Sequence, residues 1–166
     1  MGSSSSTRLL GMSNERIKFA ADEMLGTLAR WLRIIGYDTI YEKNKSDEEI
    51  EAQVLREKRI LLTRDKNLAK KLGERSLYIE SDELYEQLRQ VIKSFDLVMD
   101  EDFTRCTLCN GEVDRVTQKE VENEVPVGAL INNTEFFRCR SCGKVYWKGS
   151  HWENILKTLE RIEGNE

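Results

Sequence analysis

Ile17-Lys18-Phe19-Ala20-Ala21-Asp22-Glu23-Met24-Leu25-Gly26-Thr27-Leu28-Ala29-Arg30-Trp31-Leu32-Arg33-Ile34-Ile35-Gly36 is the stretch whose reading decides the fold. Ile17–Ala21 is a short apolar run that stops at an acid, as a buried strand does. From Met24 to Ile35 the apolar residues Leu25, Leu28, Ala29, Leu32 and Ile35 recur at helical spacing. Gly36 then ends the pattern, because glycine readily adopts the left-handed backbone that closes a helix. A strand feeding a helix through an acidic joint is the first half of a strand–helix–strand unit.

The unit repeats outward from there. Tyr37–Tyr41 reads as a weaker second strand. Ser46, Asp47, Glu48 and Glu49 read as a capping box, with Ser46 as N-cap and Glu49 three positions on, and the helix they start would bury Ile50, Val54 and Leu55. Arg59–Thr63 is a third strand, Asn67–Leu72 a short helix, and Ser76–Ile79 a fourth strand. Asp82–Phe95 is a helix with Leu84, Leu88, Val91 and Ile92 inward. Alternating strands and helices with short loops predict a parallel sheet flanked by helices. After Cys106 no long helical period returns until Trp152–Ile162.

The 166 residues begin with MGSSSSTRLLGMS, which reads as an expression leader over residues 1–13, with the native start at Met12. The remainder divides into an α/β domain over 14–98, a cysteine-bearing module over 103–152 and a C-terminal helix over 153–166. Hydrophobic residues are 39% and charged residues 34%, against roughly 45–50% and 25% in typical domains. The surface is therefore heavily charged around a clustered core. No apolar run approaches the ~20 residues of a membrane span, and no signal peptide follows Met12, so a cytoplasmic protein without membrane contact is expected. The net charge of −4 announces no general polyanion-binding surface. Nucleic-acid contact would have to come from local basic patches or from cations held by acids.

All four cysteines fall after residue 105, as Cys106-Thr107-Leu108-Cys109 and Cys139-Arg140-Ser141-Cys142, with 29 residues between the pairs. Two CxxC turns, each followed closely by glycine (Gly111 and Gly143), supply four thiolates to one tetrahedral ion. Zinc in a closed, structural ribbon site is the expectation, with iron in a rubredoxin-like site as the competitor. Disulfides are disfavoured in an intracellular chain whose cysteines are all in such pairs. The spacer exceeds the usual ~15–20 residues, which predicts an excursion around Pro126–Gly128.

Acids recur where strands end. Asp22 closes the first strand, Asp65 follows the third, Asp47 opens the helix after the second, and Asp82 opens the helix after the fourth. In a parallel sheet those positions share one edge, where ligands bind. Clustered carboxylates suit Mg²⁺ or Mn²⁺, which can activate water and stabilise phosphodiester displacement. The simpler reading makes Asp47 and Asp82 helix caps and Asp22 and Asp65 turn residues. Arg30, Arg33, Arg64 and Lys66 are the basic groups expected nearest this edge, although a solvated helix face also accounts for Arg33. Trp147-Lys148-Gly149-Ser150-His151-Trp152 combines aromatic and basic groups, which either hold single-stranded bases or glue the cysteine module to the sheet.

Several segments carry a resemblance to a known family: Phe19–Thr39, Ser46–Ile50, Ile60–Asp65, Gln87-Leu88, Arg105–Gly111, Phe137–Gly143 and Val145–His151. Together they resemble the PIN-like ribonuclease domain first named from the C-terminal region of the mutator-seven exonuclease. The resemblance implies a PIN-like α/β/α fold with a C-terminal zinc ribbon. It also implies a metal-dependent ribonuclease with Asp22, Asp47 and Asp65 as catalytic acids. Related PIN-like groups carry a further Asp at the position of Asn67, and Asp82 would substitute for it in this chain. The expected substrate is RNA, bound by Arg30, Arg33, Arg64, Lys148 and His151. A non-cleaving RNA-binding adaptor is the alternative, and a toxin-type nuclease with an antitoxin partner the weaker third.

Overall fold

The computed structural model describes residues 16–100 and 103–164 of the chain; the leader lies outside the described residues, as does the side chain of His151. The α/β part runs β1 (Phe19–Ala21), a 3₁₀ turn (Glu23–Leu25), α1 (Gly26–Ile34), β2 (Thr39–Tyr41), α2 (Asp47–Glu57), β3 (Ile60–Thr63), α3 (Lys66–Leu72), β4 (Ser76–Tyr78) and α4 (Leu84–Phe95). The sheet is entirely parallel, in the order β2-β1-β3-β4.

Strand alternation divides the apolar residues between two faces. Phe19, Ala21 and Leu62 pack with Leu28, Leu32, Ile79, Leu88 and Val91 beneath α1 and α4. Ala20 and Leu61 pack with Val54, Leu68 and Leu72 beneath α2 and α3. Full burial of one such side chain is worth about 1.5–3 kcal/mol, so the α/β/α layering follows from the sequence pattern. The helix expected over Met24–Ile35 divides at Gly26. The Tyr41 ring lies over that residue, 2.9 Å from where a Cβ would stand, and the Tyr41 hydroxyl donates to the Glu23 carbonyl at 2.7 Å. The helix expected from Asp82 starts instead at Leu84, with Glu83 as its N-cap.

The cysteine module is an antiparallel sheet of β5 (Val113–Val116), β6 (Phe136–Cys139) and β7 (Val145–Trp147), in that order. The excursion expected around Pro126 is helical: α5 (Gln118–Val121) and α6 (Val127–Asn132) sit between β5 and β6, with Thr117 forming a second capping box. Helix α7 (Ser150–Gly164) begins inside the aromatic–basic segment. Its Leu159 and Ile162 return to the core under α1 and α4. A second core of Phe103, Cys106, Phe137, Cys139, Tyr146 and Trp152 meets Ile34 of α1 and Ile155 of α7. The ribbon therefore rests on the α/β layers through apolar contact. The described part of the connection is packed as well, with Leu97 and Phe103 buried and Arg16 paired to Asp100 at 2.8 Å.

Candidate functional site

The strand order sets the first candidate site. From β1 the chain crosses to β2 on one side, and β3 lies on the other side of β1. The connections reverse between β1 and β3, which makes that junction the topological switch point, where the crevice of an open parallel sheet forms at the strand C-termini. Asp22 and Asp65 stand on its two sides. The β1–β3 ladder extends to the Asp22 N–H, which donates to the Leu62 carbonyl at 3.0 Å.

Thr63, the last residue of β3 and fully buried, joins the two acids. Its hydroxyl donates to Asp22 Oδ2 at 2.7 Å and accepts from the Asp65 N–H at 3.0 Å. Asp65 is also the N-cap of α3, with Oδ1 accepting from the N–H groups of Asn67 at 2.9 Å and Leu68 at 3.2 Å. Asp47 is exposed in the first turn of α2, behind the complete capping box of Ser46 and Glu49. Asp82 is exposed in the bend before α4. Among the described residues, no three of these carboxylates bring oxygens within 4.8 Å of one another; the four cysteines are the group that meets that distance.

Of the basic residues expected nearest this edge, Arg64 stands at it and Arg33 does not. Arg64 uses its guanidinium on the backbone, donating from Nε to the Ile79 carbonyl and from Nη2 to the Glu80 carbonyl, both at 3.2 Å, so it ties the end of β3 to the end of β4. Arg30 is exposed on α1. Arg33 lies at the opposite, N-terminal edge of the sheet. There its Nε donates to the Thr39 carbonyl and its Nη1 to the Thr107 carbonyl, both at 2.9 Å. Its place follows from direction: α1 leaves the acidic edge and runs back along the sheet, so its last turn reaches the far end. Burial lowers the Arg33 pKa, and the nearby Cys106 and Cys109 act in the opposite sense.

Asn110 and Asp38 complete this contact. Asn110 accepts from the Thr39 N–H at 3.0 Å and donates to Asp38 Oδ1 at 2.7 Å. The buried Arg59 donates to the same carboxylate oxygen at 2.8 Å and to Glu57 at 2.6 Å. Burial disfavours the charged Asp38, but the hydrogen bonds from Arg59 and Asn110 outweigh it and hold the carboxyl below the ordinary range. The first cysteine knuckle is thus pinned to the sheet edge by charge-assisted bonds.

The knuckles themselves suit a tetrahedral metal. Cys106 and Cys142 sulfurs lie 3.6 Å apart and those of Cys109 and Cys139 3.5 Å apart. Thiolates at ~2.3 Å from a tetrahedral zinc stand about 3.8 Å from each other. Backbone N–H groups of Leu108 and Cys109 point at Cys106 Sγ, and those of Ser141 and Cys142 at Cys139 Sγ. Burial resists ionisation of Cys106, yet the Tyr146 hydroxyl at 3.0 Å and those N–H donors bring its thiol down to about 6. Donors aimed at sulfur favour the thiolate that a metal binds. The four cysteines form a metal-binding cluster of the zinc-ribbon type.

Comparison with known families matches the Mut7-C RNAse domain over residues 17–159. The chain belongs to that family. No curated protein sequence matches it. As a Mut7-C RNAse domain the chain joins a ribonuclease family, with a parallel sheet flanked by helices and a ribbon-type cysteine cluster. No helix among the described residues is long and apolar enough to cross a membrane.

Thr63, Asn110, Asp38 and Tyr146 are site residues that sequence patterns passed over. The first stands in Thr63-Arg64-Asp65, where a hydroxyl two residues before an acid is a recognisable turn signal. The others become visible only once the ribbon meets the sheet. Trp152, placed by sequence between two roles, is 5% exposed with its ring 4.5 Å from that of Phe103, so it belongs to the ribbon core. The Lys148 ammonium stands 5.6 Å from the Trp152 ring and 3.7 Å from Glu135.

Proposed function

We propose that this Mut7-C RNAse domain is a metal-dependent ribonuclease that cuts RNA internally at the acidic edge, in RNA processing or turnover. The observation that carries the reading is the pairing of Asp22 and Asp65 across the switch point through one buried hydroxyl. Two carboxylates so placed are hard oxygen donors suited to Mg²⁺ or Mn²⁺, and Asp47 would join them from the start of α2. When bound, such an ion supplies a water of lowered pKa and polarises a phosphoryl oxygen. Thr63 engages Oδ2 of Asp22, and Oδ1 would serve the ion. Asp65 spends Oδ1 on the α3 cap and keeps Oδ2 for a ligand. Arg30, exposed on the helix that leaves the edge, would steady a phosphate. Asp82 is proposed as a helper, and Lys148 and His151 as RNA contacts beside the ribbon. The cysteine cluster, closed by four sulfurs, would hold zinc structurally.

The test is cleavage of labelled single-stranded, hairpin and circular RNA by zinc-loaded protein with Mn²⁺, with Mg²⁺, or with neither. Asp65→Asn keeps the cap, since Asn and Asp cap equally well, but removes the charge. Cleavage, including opening of the circle, is expected to require the added ion. It should fall by two or more orders of magnitude in the variant, as loss of several kcal/mol of charge stabilisation dictates at ~1.4 kcal/mol per tenfold. Cleavage without added ion, or full activity of Asp65→Asn, would overturn the mechanism. Intact RNA affinity without any cleavage would make the chain an RNA-binding adaptor.

A further inference from the structure

A groove of about 220 Å³ lies between the ribbon and the α/β layers, lined by Ile34 and Ile155 on one side and by Lys144, Val145, Tyr146 and Trp147 on the other. Lys144 and the three residues of β7 that follow it can all line a groove only if it runs along that strand's edge. β7 is the outer strand of the ribbon sheet. In the antiparallel ladder the Cys139 N–H donates to the Lys144 carbonyl at 2.9 Å, and Phe137 pairs with Tyr146. Alternation then turns the backbone groups of Val145 away from β6, toward the open edge. The groove thus combines apolar walls with an outward N–H and C=O. Lys144 is the one charged residue among those lining it, in a chain whose net charge is −4.

We propose that this groove is a nucleobase subsite, holding one unstacked base of a single-stranded RNA at a distance from the acidic edge. The inference rests on the RNA substrate proposed above. Single-stranded bases are recognised by apolar and aromatic walls with hydrogen-bond donors and acceptors at the base edge. The volume suits one ring system, below the ~300–1,000 Å³ of drug-sized sites. Lys144 supplies the cation for the adjoining phosphate. A peptide strand fits less well, because β7 has three residues and the Trp147 carbonyl already accepts from Gly149. The route to the acidic edge is along α1. Arg30 and Ile34 are four residues apart and share a helix face, and Gly26 lies about 12 Å from Ile34 along the axis at 1.5 Å per residue. A strand with one base in the groove would pass exposed Arg30 and reach the crevice a few nucleotides later.

The experiment is an abasic scan of a single-stranded oligoribonucleotide. Binding to the zinc-loaded full chain is read by fluorescence anisotropy without Mg²⁺ or Mn²⁺, so that nothing is cleaved. One position is expected to stand out, its abasic form binding at least fivefold more weakly, as loss of a held base costs. Lys144→Glu should weaken binding of the intact oligonucleotide and flatten the scan. Ile155→Trp, which fills the groove from the other wall, should flatten it as well. Zinc content and thermal melts establish that both variants are folded. A wild-type protein that binds RNA with a flat scan, or variants that keep the position dependence, would overturn the subsite, leave the nuclease reading standing and return the open edge to a peptide partner. A wild-type protein that binds no RNA would overturn both.

Discussion

Thr63 shows how much one hydroxyl can organise. Without it the Asp22 carboxylate and the Asp65 N–H would each lose a partner at a buried strand end. Thr63→Val keeps the branched shape and removes both bonds. It is expected to destabilise the fold by about 1–3 kcal/mol in denaturant unfolding and to reduce cleavage, with Thr63→Ser restoring both; an unchanged unfolding midpoint would show the two acids to be independent. Asp38 gives a pH-dependent counterpart. Its folded carboxyl lies below the ordinary value because Arg59 and Asn110 hold the charged form against burial. A lowered folded pKa gives stability that is complete above the unfolded value near 4 and is lost as pH falls through the folded one. Asp38→Asn should therefore melt earlier than wild type at pH 7, by about 1–3 kcal/mol in stability. The gap should narrow below about pH 4. A gap that persists into acid would mean the charge of Asp38 is immaterial.

At the scale of elements, the capping box before α2 was legible from four residues, since a reciprocal pair of local hydrogen bonds depends on nothing distant. Ser46→Ala removes the acceptor for the Glu49 N–H, and a loss of about 1 kcal/mol is expected by thermal melting. A neutral result would assign the start of α2 to packing alone. The break at Gly26 was not legible, because it comes from the Tyr41 ring of a different element lying over that glycine. The same holds for α5 and α6. Their few apolar residues are too short a run to show a period, and they are stabilised by a small cluster in which Val121 and Ala129 pack on Phe136 of β6.

At the scale of the whole molecule, the ribbon and the α/β layers are coupled. Arg33 and Asn110 bond across the contact, and Ile34 and Ile155 pack into the ribbon core. Metal binding supplies folding free energy to a segment with little core of its own. Removing zinc by chelation, or lowering its content with Cys139→Ser, should therefore unfold the ribbon and lower the melting temperature of the α/β part too. Elemental analysis and melts followed by circular dichroism measure both effects. A ribbon that melts while the α/β transition stays in place would show the contact to be energetically idle.

What this chain determined in its sequence is what local periodicity and spacing can encode: a strand–helix alternation, two cysteine knuckles for one metal, and acids at the ends of strands. Each depends on residues within a few positions of one another, so physics reads it directly. The tertiary structure decided what direction and order control. It put β3 beside β1, so that Asp22 and Asp65 flank one crevice. It carried Arg33 to the far edge, because a helix that leaves one end of a sheet must finish at the other. It brought Asn110 against Asp38, 72 residues away in the chain. Such contacts depend on how whole layers pack, and no short window of sequence contains both partners.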